Sequence, residues 1–258
     1  MSIDEELPPY RALLVVDTKG FGSNSDADQG VLAAMIPDVL GQAFERAGLG
    51  EVWKTALFPH GTGDGYGVGF EPRFLPAVVS KFFDALENVL AERDVRLRAT
   101  SRYLRMRMRA SLNVGPIREA DGESSAVAIG AAVITTHRLL DSAPVREVLT
   151  RSDPDQTFLS VVLSQRIFED VLASGYATLP KSRVVPADVE VKEYRGTVYL
   201  YVPNPSGKLL QSGIGTEYEE KLAAAEKTEG TTNVITGMHG GTAIQIGRVH
   251  GNVNHPGS

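Results

Sequence analysis

The chain has 258 residues, 42% of them apolar, with 26 glycines, no cysteine and a formal charge of -6. Without cysteine there are no disulfides, thiolate zinc sites, iron–sulfur clusters or cysteine nucleophiles, and 32 acidic against 26 basic residues argue against broad nucleic-acid binding. The start, MSIDEELPPY, is acidic and carries no leader-like apolar run, and no apolar run reaches the length of a membrane span, so a cytoplasmic protein is expected.

Residues 1–9 read as a disordered lead. The apolar run RALLVV at 11–16 ends on Asp17 and predicts a buried strand. The polar, glycine-rich stretch after it predicts a loop, and Leu32, Ile36, Leu40 and Phe44 then recur at helical spacing. Strands are expected at 51–58 and 65–70 around the turn PHGTGD. A second helix is expected at 74–92, with Phe74, Val78, Phe82, Leu86 and Leu90 on one stripe. In 104–114, Leu104, Met106 and Met108 alternate with Arg105, Arg107 and Arg109. This predicts a half-buried strand whose arginine face is solvated or dimer-facing in preference to lining a path for polyanions.

AVAIG, ending at Gly130, predicts a strand, and AAVITTHRLLDSAPVREVL a helix or helix pair. FLSVVLS is a further strand, RIFEDVLASG a short helix stopped by Gly175, and 189–194 and 197–202 are closing strands. This order implies an α/β sandwich, a mixed sheet with helices on one or both faces. Turn formers at 203–214 predict a linker with a boundary near 205. A charged, weakly helical segment and an almost uncharged glycine-rich tail at 231–258 follow.

Asp17 alone reads equally as the polar end of a strand, and Asp64 alone as a hairpin-turn aspartate, since Asp-Gly favours such turns. Together, two carboxylates on adjacent strand ends suit Mg²⁺ or Mn²⁺, which prefer hard oxygen ligands. The backbone amides of KGFG beside them suit phosphates.

With these pieces the sequence resembles the catalytic domain of class III nucleotidyl cyclases, the adenylate and guanylate cyclases. The matching segments occur in the family's order over about 10–203: the strand with Asp-x-x-GFG at 13–22, GDG followed by a Phe at 63–70, LRMRMRASLNVGP at 104–116, AIGAAVITTHRLL at 128–140 and the closing hairpin VEVKEYRGTVYLYV. The resemblance implies a ferredoxin-like mixed sheet and an enzyme that turns a nucleoside triphosphate into a cyclic nucleotide and pyrophosphate. It implies that Asp17 and Asp64 hold the metal, that Thr18, Lys19, Gly20, Phe21 and Gly22 contact the β- and γ-phosphates, and that Arg138 acts on the α-phosphate. Because the family builds its site between two subunits, a homodimer is implied. Three base-pocket or ribose positions depart from the family: His60 stands for a lysine, Val127 for an acidic residue and Ile134 for an asparagine. The base pocket is therefore non-standard, and a catalytically inactive nucleotide-binding or protein-interaction module is the alternative reading.

The tail carries TAIQIG, in which Ile244 and Ile246 share a strand face opposite Gln245, the pattern of a stacking zipper. TAIQIGRVHGNVNH resembles bacterial amyloid signalling motifs, and IQIG matches the tetrad of RIP homotypic interaction motifs. That resemblance implies recruitment to an NLR-like sensor in defence or regulated cell death. The expected layout is a lead at 1–9, a cyclase-like domain at 10–203, a linker at 204–230 and the motif at 231–258.

Overall fold

In a computed structural model, the structure describes residues 6–101, 103–119 and 128–214. The amyloid-like motif, most of the expected linker and Val127 lie outside the described residues.

β1 (Tyr10–Thr18) runs through the middle of a seven-stranded sheet. Its residues Ala12 to Val16 are apolar without interruption because both faces are covered. Ala12, Leu14 and Val16 join one core, and Leu13 and Val15 join another on the opposite face. The strand order is β2-β3-β1-β4-β7-β9-β8, formed by β2 (Leu57–Gly61), β3 (Gly65–Phe70), β4 (Met108–Pro116), β7 (Leu159–Ser164), β8 (Val184–Val191) and β9 (Tyr194–Tyr201). β5 (Arg118–Glu119) and β6 (Ala128–Ile129) form a separate ribbon. All pairings in the main sheet are antiparallel except β4 with β7. The order β2-β3-β1-β4 is the ferredoxin-like arrangement expected.

Two helical layers enclose the sheet. α1 (Asp26–Arg46) and a long run made of α3 (Leu75–Ala77), a π-helical turn (Val78–Phe82) and α4 (Phe83–Thr100) cover the Ala12–Leu14–Val16 face. α5 (Ala131–Leu140) and α6 (Ala143–Arg151) cover the other face, where Ala132 and Leu140 meet Leu13 and Val15, and Val145 and Val148 meet Val162 and Val198. α7 (Gln165–Ile167) continues as a π-helical turn to Ala173, and Gly175, at φ 78°, ends that segment as expected.

Two expectations need correction. The segment 51–58 is not one strand: α2 (Gly50–Lys54) precedes β2. Gly48, at φ 73°, stops α1 and turns the chain so that Trp53 stacks on Phe44 with ring centroids 5.6 Å apart. The strand begins after that turn and takes in Pro59, which an edge position tolerates because part of its N–H row needs no ladder partner. The segment 104–107 alternates as read, with Leu104 and Met106 in the core, but the ladder begins only at Met108.

Residues 204–214 lie against the globular unit. Leu209 of α8 (Lys208–Ser212) is buried beside Val145 and Val148. Ser206 Oγ accepts from the Asp153 amide at 3.2 Å and shares a hydrogen bond of 2.6 Å with Thr157 Oγ1. Arg151 donates to Ser212 Oγ at 2.5 Å and to the Gly213 carbonyl at 2.8 Å.

Candidate functional site

Asp17 comes at the end of the buried run of β1, directly opposite Gly65 of β3 on one side and Arg109 of β4 on the other. The Thr18 amide donates to the Asp64 carbonyl at 2.8 Å, which fixes the GDG turn against the end of β1. Thr62 Oγ1 donates to Asp64 Oδ1 at 3.2 Å. A side chain on Gly65 would meet the Val16 carbonyl at 2.3 Å and Thr62 Oγ1 at 2.9 Å. The two carboxylate-bearing segments therefore close over a position that only glycine can occupy.

The alternate glycines of β3 form one bare stripe on this sheet face, because successive side chains of a strand point to opposite faces. A side chain on Gly67 would lie 2.2 Å from the His60 ring, and one on Gly69 would lie 2.7 Å from the Phe58 ring. A bulge between Leu57 and His60, with Phe58 at φ 50°, sets both rings onto the stripe. His60 Nδ1 lies 2.9 Å from the Phe58 carbonyl, which can only accept. The Nδ1 proton is thus committed, and in the neutral ring Nε2 is a bare acceptor.

The loop after β1 leaves backbone donors open. The Thr18 and Lys19 amides donate to Asp64 and Arg107 carbonyls, and the Ser23 and Asn24 amides to Gly20 and Phe21 carbonyls. Among the described residues, the Gly20, Phe21 and Gly22 amides between them donate to no backbone carbonyl. Gly20 is left-handed at φ 73°, and its carbonyl accepts from Ser23 Oγ at 2.6 Å and Asn24 Nδ2 at 3.1 Å. Phe21–Ser23 form a single 3-10 turn, and the first amides of such a turn have no carbonyl partner within it.

Arg105, Arg107 and Arg109 are not a solvated row, which corrects that half of the sequence reading: each has a partner within the described residues. Arg107 is buried and donates to the Thr157 carbonyl at 2.8 Å and Ser152 Oγ at 2.7 Å. Arg105 pairs with Asp155 at 2.6 Å. Arg109 reaches Asp17 through three hydrogen bonds: Nη2 to Oδ1 at 2.6 Å, Nη2 to Oδ2 at 2.7 Å and Nε to Oδ1 at 3.0 Å. Lys19 Nζ donates to Thr150 Oγ1 at 3.1 Å. Burial lowers the Lys19 pKa, and the charges of Arg107 and Arg109 add to that. Sequence reasoning missed Arg109 as the partner of Asp17. The alternation gave its face, but only the antiparallel register gives its neighbour.

The remaining predicted residues lie around α5. Ile134 is 54% exposed. Arg138 pairs with Glu193 at the β8–β9 turn and not with either aspartate. His137 stands with its ring centroid 6.2 Å from that of His60, and its pKa is lowered by burial and then by His60. The structure thus gathers Asp17, Asp64 and the Thr18–Gly22 loop at one strand end and places His60 beside α5. A cavity of about 390 Å³ lined by Asn113, Ala131, Thr135, Gln165, Arg166 and Tyr194 lies at the start of α5 and contains none of the predicted site residues.

Among the described residues there is no cluster of three or more His, Asp or Glu side chains able to hold an ion. Two carboxylates, Asp17 and Asp64, are the oxygen donors at this strand end, a number that Mg²⁺ or Mn²⁺ accepts when other oxygens complete the shell, and Arg109 engages both oxygens of Asp17. No described helix is long and apolar enough to cross a membrane.

No family model matches the chain, and no curated protein matches it. Among solved structures, one of a bacterial light-regulated adenylyl cyclase is similar with a TM-score of 0.53 at 13% identity, over 80% of this chain and 55% of that one. A second structure of a bacterial light-regulated adenylyl cyclase gives 0.50 at 15% identity, over 84% and 99%. The guanylyl cyclase domain of a fusion protein from the aquatic fungus Blastocladiella emersonii gives 0.48 at 13% identity, over 77% and 98%. The open mixed sheet with its helical layers resembles the fold of class III nucleotidyl cyclase domains, and at these identities the likeness extends to the fold alone.

Proposed function

We propose that the chain is a nucleotidyl cyclase that converts a nucleoside triphosphate to a cyclic nucleotide and pyrophosphate. The observation that carries this reading is the open amide cradle at Gly20–Gly22, set beside Asp17 at the end of β1 and Asp64 in the turn before β3. In this reading the cradle and Lys19 hold the terminal phosphates, and Asp17 and Asp64 hold Mg²⁺ or Mn²⁺. A bound ion would lower the pKa of the 3′-hydroxyl and neutralise charge on the leaving pyrophosphate. Arg138 of a second copy, drawn off Glu193, stabilises charge building on the α-phosphate. His60, lying flat on Gly67, offers the base an acceptor at Nε2 where a lysine would offer a donor. The site is then completed in a homodimer. The tail motif around TAIQIG recruits the chain to an NLR-like sensor in defence or regulated cell death, and clustering favours the dimer by raising local concentration.

A second reading is a nucleotide-binding module without turnover. It is favoured by the Arg138–Glu193 pair and by the exposed Ile134, which cannot hydrogen-bond a ribose or phosphate. The test incubates the full chain with each of the four nucleoside triphosphates and Mn²⁺ and identifies products by mass. A cyclic product that disappears in Asp17→Asn and Asp64→Asn supports the cyclase. Nucleotide binding with no product from any of the four supports the module.

A further inference from the structure

Two histidines beside the glycine stripe stand close enough to share a ligand. His60 and His137 are both half-buried, with ring centroids 6.2 Å apart and ring planes at 48°. They come from separate elements, His60 from the edge strand β2 and His137 from α5. One apolar cluster contains Phe58 of β2 and both Ala132 and Leu140 of α5, so the pair stands on a common base. The bulge that delivers His60 includes Phe58, a non-glycine residue at φ 50°. Backbone strain of this kind gathers at functional sites. The Phe58 carbonyl lies 2.9 Å from His60 Nδ1, which leaves Nε2 as the open nitrogen. A metal-binding histidine almost always gives its other N–H to such a partner. His137 has no hydrogen-bond partner on either ring nitrogen among the described residues, and neither nitrogen is sealed from solvent.

One ion bonded to two imidazole nitrogens at about 2.0–2.1 Å keeps the ring centroids roughly 5–6.4 Å apart. The separation of 6.2 Å falls inside that span, so rotation of the rings suffices and the backbone need not move. We infer that His60 and His137 together bind one borderline divalent cation, Zn²⁺, Cu²⁺ or Ni²⁺, with water completing the shell. Imidazole nitrogen suits these ions, whereas Mg²⁺ and Mn²⁺ favour carboxylate and phosphate oxygens, so the histidines and the two aspartates select different metals. Two protein ligands leave the ion exchangeable, in contrast to the four that close a structural zinc site. The bound ion ties the edge strand to the helix that carries Arg138. Under the cyclase reading it also takes the Nε2 acceptor from the base, but the site itself does not rest on that reading.

The sequence has three further histidines, His239, His250 and His255. The test therefore uses the full chain both unchanged and with His239→Gln, His250→Gln and His255→Gln, which leaves His60 and His137 as its imidazoles. Zn²⁺ is titrated in without nucleotide, and the ring nitrogen resonances are followed by NMR. In both proteins His60 and His137 are expected to shift together, and in the second they saturate at one ion per chain. Mg²⁺ at the same concentration is expected to leave both rings in place. In His60→Gln the His137 ring, and in His137→Gln the His60 ring, is expected to need at least about tenfold more Zn²⁺, the lower end of what losing an outer-shell partner alone costs. Asp17→Asn/Asp64→Asn is expected to keep the shared shift. Circular dichroism checks the fold of each variant.

Rings that saturate at different Zn²⁺ concentrations, or a ring that binds as tightly once the other is replaced, would mean separate sites and overturn the shared ion. Rings that stay in place at a large excess of Zn²⁺ overturn it as well. Loss of the shift in a folded Asp17→Asn/Asp64→Asn chain assigns the ion to the carboxylates and overturns the histidine pair. Should His60→Gln or His137→Gln fail to fold, joint against separate saturation of the two rings decides. No arm contains nucleotide, so failure of this site and failure of the cyclase reading are told apart.

Discussion

Glu87 gives a pH-dependent prediction whose size follows from its surroundings. It projects from α4 into the core, is 4% exposed, and accepts from the Phe158 amide through Oε1 at 3.0 Å and Oε2 at 3.2 Å. Burial raises its pKa from 4.5 to about 7, against the opposing pull of those backbone bonds and of Arg107. In the unfolded chain the carboxyl titrates near its ordinary value. The folded pKa is the higher one, so the contribution is fully present below about pH 4.5 and lost as pH rises through about 7. The rise corresponds to about 3 kcal/mol at ~1.36 kcal/mol per unit. Glu87→Gln removes the ionisation and keeps an oxygen for the Phe158 amide. Its melting temperature relative to the wild type is expected to rise by roughly 5–10 °C between pH 5 and pH 8, taking about 2–4 °C per kcal/mol for a domain of this size. Other titrating groups are common to both proteins, so the difference isolates Glu87. Calorimetry at the two pH values measures it. A difference that stays flat would refute the reasoning, because it would mean that the buried carboxyl ionises at no cost.

Gly65→Ala sets a methyl group 2.3 Å from the Val16 carbonyl, and backbone cannot yield as a flexible side chain does. A loss of about 2–3 kcal/mol is expected by denaturant titration. Gly67→Ala meets only the His60 ring, which can swing aside. It is expected to cost about 1 kcal/mol and to shift the ring resonances of His60, and of His137 beside it, in an NMR spectrum. Arg107→Met strips the donors from the Thr157 carbonyl and Ser152 Oγ. A fall of about 2–4 kcal/mol in stability is expected from stranding buried acceptors, with the change read by urea unfolding.

The fold was largely legible because its central strand is an unbroken apolar run and its helices carry stripes at helical spacing. Asp17 was legible for the same reason: a polar residue closing such a run stands at a strand end. What could not be read is register. Nothing in LRMRMRASLNV says that Arg109, and not Arg107, faces Asp17, since a shift of two residues preserves the alternation. The helix at Gly50–Lys54 was missed because Val52 and Trp53 also suit a strand, and the deciding feature is the left-handed Gly48 behind them. Glu87 was invisible for a further reason. An acidic residue on a helix reads as solvated, and the backbone amide of Phe158, just before β7, gives its buried carboxyl a partner.

The division of the sheet into two unlike faces accounts for where stability and chemistry are expected to separate. Behind β1, Ala12, Leu14 and Val16 pack into the larger core with α1 and α4. In front, the same strand carries Leu13 and Val15 under α5 and then Asp17. Beside it, β3 contributes no side chain at Gly65, Gly67 or Gly69. A stripe without side chains forfeits packing, and the space is filled by Phe58 and His60 from an edge strand held in a bulge. Such a surface is poor as core and well suited to bringing backbone and polar groups close to a ligand. Substitutions behind the sheet are therefore expected to act through unfolding, and those along the glycine stripe through the placement of Asp64 and His60. Gly65 is the exception that does both, because its neighbour is backbone.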